Sequence, residues 1–361
     1  MEHGWRYREH QGNSSMAESD MSSLLSKLDT GDMAGFTRRF VDDLEAAMAR
    51  EIGIEADSDW SGIICLGMGG SGASGQFLKS LADAEGGLPF VVWNDYGLPS
   101  WWGPDWLVLA TSYSGDTEET LDGVREALES GGTVIGVSSG GQLAEMLEAS
   151  DDCALLSVPG GQAPRSAFGH IFGTQLAACW AMGLLPSPSE AEMSGMLKRL
   201  RTASSGADLV GGDGMSETMA KSMQGREIGI VSPAELGPAG YRFSCQINEN
   251  SDGFANSSNV PEMNHNEIVA WASEGASRAL IVLTSEEMHP RTQARVGWML
   301  DNIESEVVWR IECEGESLLE RLLYAAHVTD WVSIALALVN GANPSEMAAI
   351  DSLKAHLASI Q

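Results

Sequence analysis

Short apolar runs alternate with helical patterns along most of the chain. Continuous apolar runs of this length, separated by helices, are typical of parallel strands that are buried on both faces of a sheet. Helical periodicity is clearest at residues 33–49 and 318–338. The pattern therefore predicts an α/β fold in which parallel sheets are flanked by helices. The predicted strands are residues 63–66, 90–93, 107–110, 134–137, 155–158, 228–231, 280–283 and 307–311.

The predicted strands fall into two series. The Pro-Ser-Pro-Ser segment at residues 186–189 has the composition of a linker between them. A chain of 361 residues is long enough for two α/β units of roughly 150–200 residues each. We predict a polar extension at residues 1–30, a first domain at residues 31–188 and a second domain at residues 189–361. No residue-level repeat relates the two halves, so any duplication would lie in the structure only.

One uncharged stretch, residues 166–185, is about long enough to span a bilayer. It contains His170, Thr174 and Gln175 and has no basic flank on its C-terminal side. It therefore predicts a buried core helix or subunit-interface helix rather than a membrane span. The first thirty residues carry acids and serines without an apolar run, unlike a signal peptide. We expect a soluble, cytoplasmic protein.

The charge balance narrows the classes of partner. The chain has 21 basic and 51 acidic residues, a net charge of −30, and 43% hydrophobic residues, enough for a real core. Without a concentrated basic patch, such a chain is a poor binder of nucleic acids or anionic membranes. A surface adapted to high salt and an ordinary acidic cytosolic protein both fit this charge. The five scattered cysteines form no CxxC pair, which favours a reducing compartment and argues against disulfides or structural zinc.

A glycine-rich turn follows the first predicted strand. Gly67, Gly69 and Gly72 satisfy the dinucleotide pattern GxGxxG, and Asp95 follows the second strand at the distance of a ribose-binding acid. Glycines at this position let the backbone approach an anion at a helix N-terminus. The turn therefore indicates a phosphate site, and a dinucleotide or a monophosphate would fit it equally well.

A second turn separates these alternatives. The third predicted strand runs into Ser112, Ser114 and Thr117, which place three hydroxyl groups in one strand-to-helix turn. A dinucleotide site does not need this cluster, whereas a monophosphate held between the two turns does. The alternative is that Ser114 and Asp116 merely cap the helix. The two turns together resemble the sugar isomerase (SIS) domain, which clasps sugar phosphates in enzymes and in regulators.

Four further segments sharpen the resemblance. They are Pro164–Gly169 around Arg165, the Gln-Ile-Asn-Glu-Asn run around Glu249, the Asn-His-Asn-Glu run around His265, and the Ile-Asp-Ser-Leu-Lys run that ends at Lys354. In order and spacing, they resemble the bifunctional phosphoglucose/phosphomannose isomerases over residues 30–361. This resemblance implies two SIS-type subdomains and interconversion of glucose 6-phosphate with fructose 6-phosphate. Activity on mannose 6-phosphate transfers less directly.

Aldose–ketose interconversion moves a proton between C1 and C2 through an enediolate. It needs a base, a cation beside the developing oxyanion, and groups that open the sugar ring. The resemblance implies that Glu249 is the base and that Arg165 stabilises the enediolate. It implies that His265, contributed by the partner of an obligate homodimer, opens the ring together with Lys354.

The remaining roles follow from the same resemblance and from the residues around these motifs. Glu262 and Glu267 flank His265, and we interpret them as orienting or structural residues. The other histidines that we considered show no ligand spacing with nearby carboxylates, so we predict no metal site and no cofactor. These histidines are His170, His289, His327 and His356. The residues predicted to hold the phosphate are Gly69, Gly70, Ser71, Ser112, Ser114 and Thr117.

Two alternatives stay open at this point. A non-catalytic phosphosugar sensor would use the same two turns, but sensors lack a base and a C-terminal lysine. A dinucleotide-dependent oxidoreductase would depend on the GxGxxG pattern and Asp95.

Overall fold

The computed structural model describes residues 5–9, 20–54, 59–150, 153–273 and 277–360. These residues form two five-stranded sheets with helices packed around them. The strands are β1 (Trp5–Glu9), β2 (Gly62–Leu66), β3 (Phe90–Trp93), β4 (Trp106–Thr111), β5 (Val134–Ser138), β6 (Cys153–Ser157), β7 (Glu227–Pro233), β8 (Ala255–Val260), β9 (Arg278–Thr284) and β10 (Val307–Glu312). The helices are α1 (Met21–Leu28), α2 (Met33–Met48), α3 (Gly69–Glu85), α4 (Glu118–Glu129), α5 (Gly141–Glu148), α6 (Phe168–Ala181), α7 (Glu190–Ala207), α8 (Met215–Met223), α9 (Gly237–Ser251), α10 (Ile268–Trp271), α11 (Pro290–Asn302), α12 (Leu318–Asn340) and α13 (Ala348–Leu357).

The first sheet is wholly parallel, with strand order β3-β2-β4-β5-β6. The order reverses between β2 and β4, because β3 lies on one side of β2 and the later strands lie on the other. In open α/β sheets, ligands bind at such a reversal, outside the carboxyl ends of the strands. The glycine-rich turn follows β2 and the hydroxyl-rich turn follows β4, so both turns lie at this point of the sheet.

The second sheet repeats this topology. Its order is β1-β10-β9-β7-β8, and β7 to β10 are parallel. Taken in chain order, β7, β8, β9 and β10 occupy the same positions as β2, β3, β4 and β5. The two halves are therefore a structural duplication without a residue-level repeat, and the predicted α/β class, with parallel sheets flanked by helices, is confirmed.

The N-terminal segment is part of the second sheet. β1 pairs antiparallel with β10, in the position that β6 occupies in the first sheet. Trp5 meets the buried Trp309 edge-on, with ring centroids 6.4 Å apart, and Tyr7 stacks on it at 4.6 Å. Residues 1–30 were expected to be a polar extension, but 5–9 complete a sheet and 21–28 form a helix. A five-residue strand at a sheet edge carries too weak an apolar pattern to be recognised.

The apolar core is continuous across the two halves. It includes Ile63 and Leu107 of the first sheet together with Ile230 and Ile281 of the second, joined by helices α6, α9 and α12. The uncharged stretch forms α6, which is buried along most of its length, as predicted. Within the part of the chain described, α12 is long and apolar enough to cross a membrane, but 94% of its apolar window is buried inside the protein. Core helices of soluble proteins pass the same test.

Candidate active site

The two predicted phosphate turns are joined by a hydrogen bond. The backbone N–H of Tyr113 donates to Ser71 Oγ at 3.1 Å, which links the turn after β4 to the first turn of α3. Helices α3 and α4 both begin here, so their unpaired N–H groups and the positive ends of their dipoles point towards the same region. This arrangement suits a phosphate group.

The hydroxyl-rich turn is organised by its own hydrogen bonds. Ser112 is fully buried, and its Oγ accepts from the backbone N–H groups of Gly115 at 3.1 Å and Thr117 at 3.3 Å. The Ser112 and Thr117 hydroxyl oxygens lie 2.8 Å apart. Gly115 has φ +79°, and a Cβ there would lie 1.8 Å from the Gly140 carbonyl oxygen, so only glycine fits. The turn is therefore shaped by hydrogen bonds among its own residues.

Neither Ser114 nor Asp116 caps α4. The N-cap residue is Thr117, which makes no side-chain capping bond. Asp116 Oδ1 instead accepts from the backbone N–H of Gln142 at 3.1 Å, and Ser114 Oγ accepts from the Asp116 N–H at 3.3 Å. Ser114 is exposed, so its hydroxyl is free to meet a ligand. The capping alternative is thus not what these two residues do.

The loop that carries Arg165 lies against the glycine-rich turn. A Cβ on Gly70 would lie 3.0 Å from both Cα and N of Arg165, so a larger residue there would push the two backbones apart. A small cavity of about 100 Å³ also lies beside this turn and is lined by Gly69, Asn94 and Tyr241, the last from α9. The phosphate turn, the Arg165 loop and α9 therefore meet in one region.

Arg165 and Glu249 form an ion pair in this region. Arg165 is 2% exposed, and its Nη1 lies 3.4 Å from Glu249 Oε2. Its Nε donates to Asn250 Oδ1 at 2.6 Å, and its Nη2 donates to the Pro344 carbonyl at 2.6 Å. Two of the three guanidinium nitrogens are thus held by protein acceptors, and the third points at the carboxylate.

The electrostatics of this pair suit a general base. Burial raises the pKa of Glu249 above its usual value, and the positive charges of Arg165 and Arg242 oppose that rise. Burial also lowers the pKa of Arg165, while Glu249 offsets part of this effect. An arginine starts from so high a pKa that its guanidinium stays charged. The arrangement supplies a partly buried carboxylate beside a fixed cation.

His265 and Lys354 make no polar contact with the Arg165–Glu249 pair in the described part of the chain. His265 is exposed at the end of a short 3-10 helix, Glu262–His265, that follows the edge strand β8. Lys354 lies on α13, a helix with no buried residue. Among the described residues, neither side chain hydrogen-bonds or ion-pairs with Arg165 or Glu249. The hydrogen bond from Arg165 to the Pro344 carbonyl nevertheless places the segment before α13 at the site.

The two carboxylates that flank His265 have local roles. Glu267 Oε1 accepts from the indole Nε1 of Trp271 at 2.7 Å, and Glu262 Oε1 accepts from the Asn266 side-chain amide at 3.2 Å. Asp95, which the dinucleotide alternative needs, is exposed and accepts from the neighbouring Tyr96 N–H. Within the described residues, no group of three or more His, Cys, Asp or Glu side chains is placed to hold a metal ion.

Three polar residues that support the site were not predicted from the sequence. They are Arg242, Asp330 and Asn250, the last of which lies within the motif around Glu249. A signal was present for Arg242 and Asp330, because each is a charged residue within an apolar helical stretch. Such residues are buried only when they are paired.

Solved structures share this fold at low sequence identity. The C-terminal domain of a glucosamine-fructose-6-phosphate aminotransferase from Francisella tularensis matches with a TM-score of 0.66 at 12% identity, covering 87% of this chain and 98% of that one. Residues 213–357 match the family model described as the bacterial phospho-glucose isomerase C-terminal SIS domain. That part of the chain thus matches the SIS class of domain.

The sequence relatives narrow the class further. A bifunctional phosphoglucose/phosphomannose isomerase from Aquifex aeolicus is 31% identical over 82% of this chain and 91% of its own length. A D-glucosamine-6-phosphate 4-epimerase from Sulfolobus acidocaldarius is 30% identical over 73% of this chain and 81% of its own length. The chain belongs to the bifunctional phosphoglucose/phosphomannose isomerase family, as the motifs predicted.

Proposed function

We propose that the protein is an aldose–ketose isomerase that interconverts glucose 6-phosphate, and also mannose 6-phosphate, with fructose 6-phosphate. The observation that carries this proposal is the Arg165–Glu249 pair at 3.4 Å, next to a turn built for phosphate. A phosphosugar sensor has no use for a partly buried carboxylate beside a buried arginine. Membership of the isomerase family supports the same conclusion.

The phosphate end of the substrate lies between the N-termini of α3 and α4. The backbone N–H groups of Gly69 and Gly70 approach the phosphate oxygens, and the hydroxyl groups of the two turns donate to them. Ser112 and Ser71 also hold the two turns in position. The hydroxyl residues in this role are Ser71, Ser112, Ser114 and Thr117.

The reaction end is the Arg165–Glu249 pair. The Glu249 carboxylate takes the proton from C2 of the open-chain aldose, the electron pair forms the C1–C2 double bond, and negative charge develops on O1 beside Arg165. Glu249 then returns the proton to C1, and a proton moves from O2 to O1 to give the ketose. No metal or organic cofactor takes part in this proposal.

Ring opening is assigned to His265 and Lys354. His265 is exposed in the single chain, which is consistent with a role in the active site of a second subunit. In this proposal the protein is a cytoplasmic homodimer in which each site uses His265 of its partner. The division into a first SIS domain at residues 31–188 and a second at 189–361 stays part of this proposal, with β1 belonging to the second sheet.

The direct test is a coupled assay of both aldose phosphates with the wild type, Glu249→Gln and Glu262→Gln. An amide cannot accept the C2 proton, so Glu249→Gln should lose about 10²–10⁴-fold in kcat while still binding fructose 6-phosphate. Glu262→Gln is the comparison: its amide oxygen can still accept from the Asn266 side chain, so it should lose far less turnover than Glu249→Gln.

Each contrary result has a distinct meaning. Full activity of Glu249→Gln would remove the assignment of the base. Saturable fructose 6-phosphate binding without turnover by the wild type would favour the sensor. Turnover of glucosamine 6-phosphate to its C4 epimer alone would place the protein with the epimerase relative.

A further inference from the structure

A second buried arginine lies behind Arg165. Arg242 lies on α9, two helical turns before Glu249, and is 4% exposed. Its Nη2 donates to the backbone carbonyl of Arg165 at 3.0 Å, and its Nη1 donates to the Ala326 carbonyl at 3.3 Å. Its guanidinium lies 4.5 Å from the ring centroid of Phe168, the first residue of α6.

The charge of Arg242 is matched by a buried carboxylate on α12. Arg242 Nη1 forms a short ion pair with Asp330 Oδ1, and the Gln246 amide donates to the same oxygen at 2.6 Å. One turn further along α12, Ser333 Oγ accepts from the side-chain amide of Asn250 at 2.9 Å. Asn250 in turn accepts from Arg165 Nε. Helix α12 thus holds Arg165 indirectly through two residues of α9.

We propose that Arg242 is a positioning residue for the isomerase reaction: it fixes the backbone of Arg165, so that the Arg165 guanidinium presents Nη1 to the enediolate. This inference rests on the proposed function. Arg242 must reach the Arg165 carbonyl, the Ala326 carbonyl and Asp330 at once, and only a planar fork with several donors can do so. A lysine would keep the charge but lose at least one of these contacts.

Arg242 also contributes to the electrostatics of the base. Its positive charge and that of Arg165, from the loop before α6, both lower the pKa of Glu249 against the effect of burial. On α9, Cys245 and Tyr241 also face this carboxylate. From α12, Asp330 is paired with Arg242. Removal of the Arg242 charge should therefore move the acid limb of the activity profile to higher pH.

The test compares Arg242→Lys and Arg242→Gln with Arg321→Lys. Arg321 is a matched control because it is another buried arginine, on α12, that pairs with a carboxylate, Glu287, and a backbone carbonyl. Misplacement of a reacting group by about 1 Å can cost up to about 100-fold. We expect a loss of this size in kcat for Arg242→Lys, with little change in KM and in the acid limb. Arg242→Gln should lose as much and shift the acid limb upwards.

A double-mutant cycle with Arg165→Lys identifies the route of the effect. If Arg242 acts through Arg165, Arg242→Lys should cost much less in the Arg165→Lys background than in the wild type. Fully additive losses, or a kcat for Arg242→Lys equal to that of Arg321→Lys, would overturn the proposal. If Arg242→Lys fails to fold, Gln246→Met replaces it, since it removes one donor to Asp330 and leaves the buried charge paired.

A binding measurement separates this proposal from the proposed function. Arabinonate 5-phosphate carries a carboxylate where the enediolate oxygens would lie, so calorimetry with it reports on Arg165 without turnover. Arg242→Lys should weaken its binding more than it weakens the binding of inorganic phosphate. An inactive wild type that binds this analogue no better than phosphate would defeat the proposed function itself. An active wild type with unchanged analogue binding in Arg242→Lys would defeat only the role of Arg242.

Discussion

The two ends of the candidate site are built in different ways. The phosphate end consists of two short segments at the carboxyl ends of neighbouring strands, joined by the Tyr113–Ser71 hydrogen bond. The proposed reaction end draws Arg165, Glu249, His265 and Lys354 from four distant segments, and only the first two meet in the single chain. Backbone geometry alone can prepare an anion site, whereas proton transfer needs side chains that converge from several elements. The reaction end is therefore the part that a second subunit would have to complete.

The largest expected effect tests directly whether a second subunit completes the reaction end. Glu249→Gln and His265→Gln chains, each nearly inactive alone, should regain about a quarter of wild-type activity when they are co-expressed, since half of the dimers then contain one intact site. The physical reason is that, in the proposed dimer, Glu249 of one chain meets His265 of the other. The measurement is a coupled assay on the mixed, purified protein.

The matched control for complementation is co-expression of Glu249→Gln with Arg165→Lys. Both residues belong to the same chain's half of the site, so this mixture should regain nothing beyond single-variant activity. Regain in the control, or none in the Glu249→Gln and His265→Gln mixture, would contradict the shared site.

A smaller effect is expected from Arg165→Lys. Lysine keeps a positive charge but cannot bond Asn250 and Pro344 while it points at the substrate. By comparison with other oxyanion donors, kcat should fall by about 10²–10³-fold, and KM should change little. Steady-state kinetics with fructose 6-phosphate measure both. A rise in KM without a fall in kcat would show that Arg165 contributes to substrate binding and not to the reaction.

The phosphate end should respond in the opposite way. Ser112→Ala leaves the backbone N–H groups of Gly115 and Thr117 without their acceptor, at a cost of about 1–3 kcal/mol. We expect KM and the inhibition constant of inorganic phosphate to rise together by on the order of 10-fold, with kcat affected less. Ser114→Ala, at an exposed hydroxyl, should raise both less. Equal losses of kcat in Ser112→Ala and Arg165→Lys would contradict the division into an end that binds phosphate and an end that carries out the reaction.

The smallest effect is a pH dependence confined to the reaction end. Burial raises the pKa of Glu249 above its usual 4.5, and the base works deprotonated, so the acid limb of kcat should lie above that value. The native state then binds more protons than the unfolded chain between 4.5 and the raised pKa, so this group makes stability fall as pH rises through that window. The quantity to measure is kcat, because the phosphate of the free substrate itself titrates at about pH 6. A limb at or below 4.5 would contradict a partly buried base.

Much of the fold was predictable because its strands are buried on both faces. Every predicted strand is confirmed within one or two residues at each end. The two strands that were missed are β1 and β8, both at sheet edges. The sequence of β8 between Ala255 and Val260 is Asn-Ser-Ser-Asn, which carries no apolar run because an edge strand has less surface to bury.

The family and its sugar-phosphate chemistry were also predictable, since the motifs around Arg165, Glu249, His265 and Lys354 are local runs of sequence. The individual roles of these residues stay predictions. The contacts that Arg242, Asn250 and Asp330 make could not be predicted, because their partners lie 77 to 88 positions away in the chain.

The sequence by itself determined the local features: which runs are strands, where the backbone can approach a phosphate, and which residue types could transfer a proton. These properties depend on neighbours along the chain, through hydrogen bonds and dihedral preferences that span a few residues. Only the tertiary structure decided that Arg165 faces Glu249, that Arg242 and α12 hold it there, and that β1 closes the second sheet. Those outcomes depend on how helices α6, α9 and α12 pack around a shared core. A charged side chain buried in that core is stable only when it is paired, and the partners of Arg165 and Arg242 lie far away in the sequence.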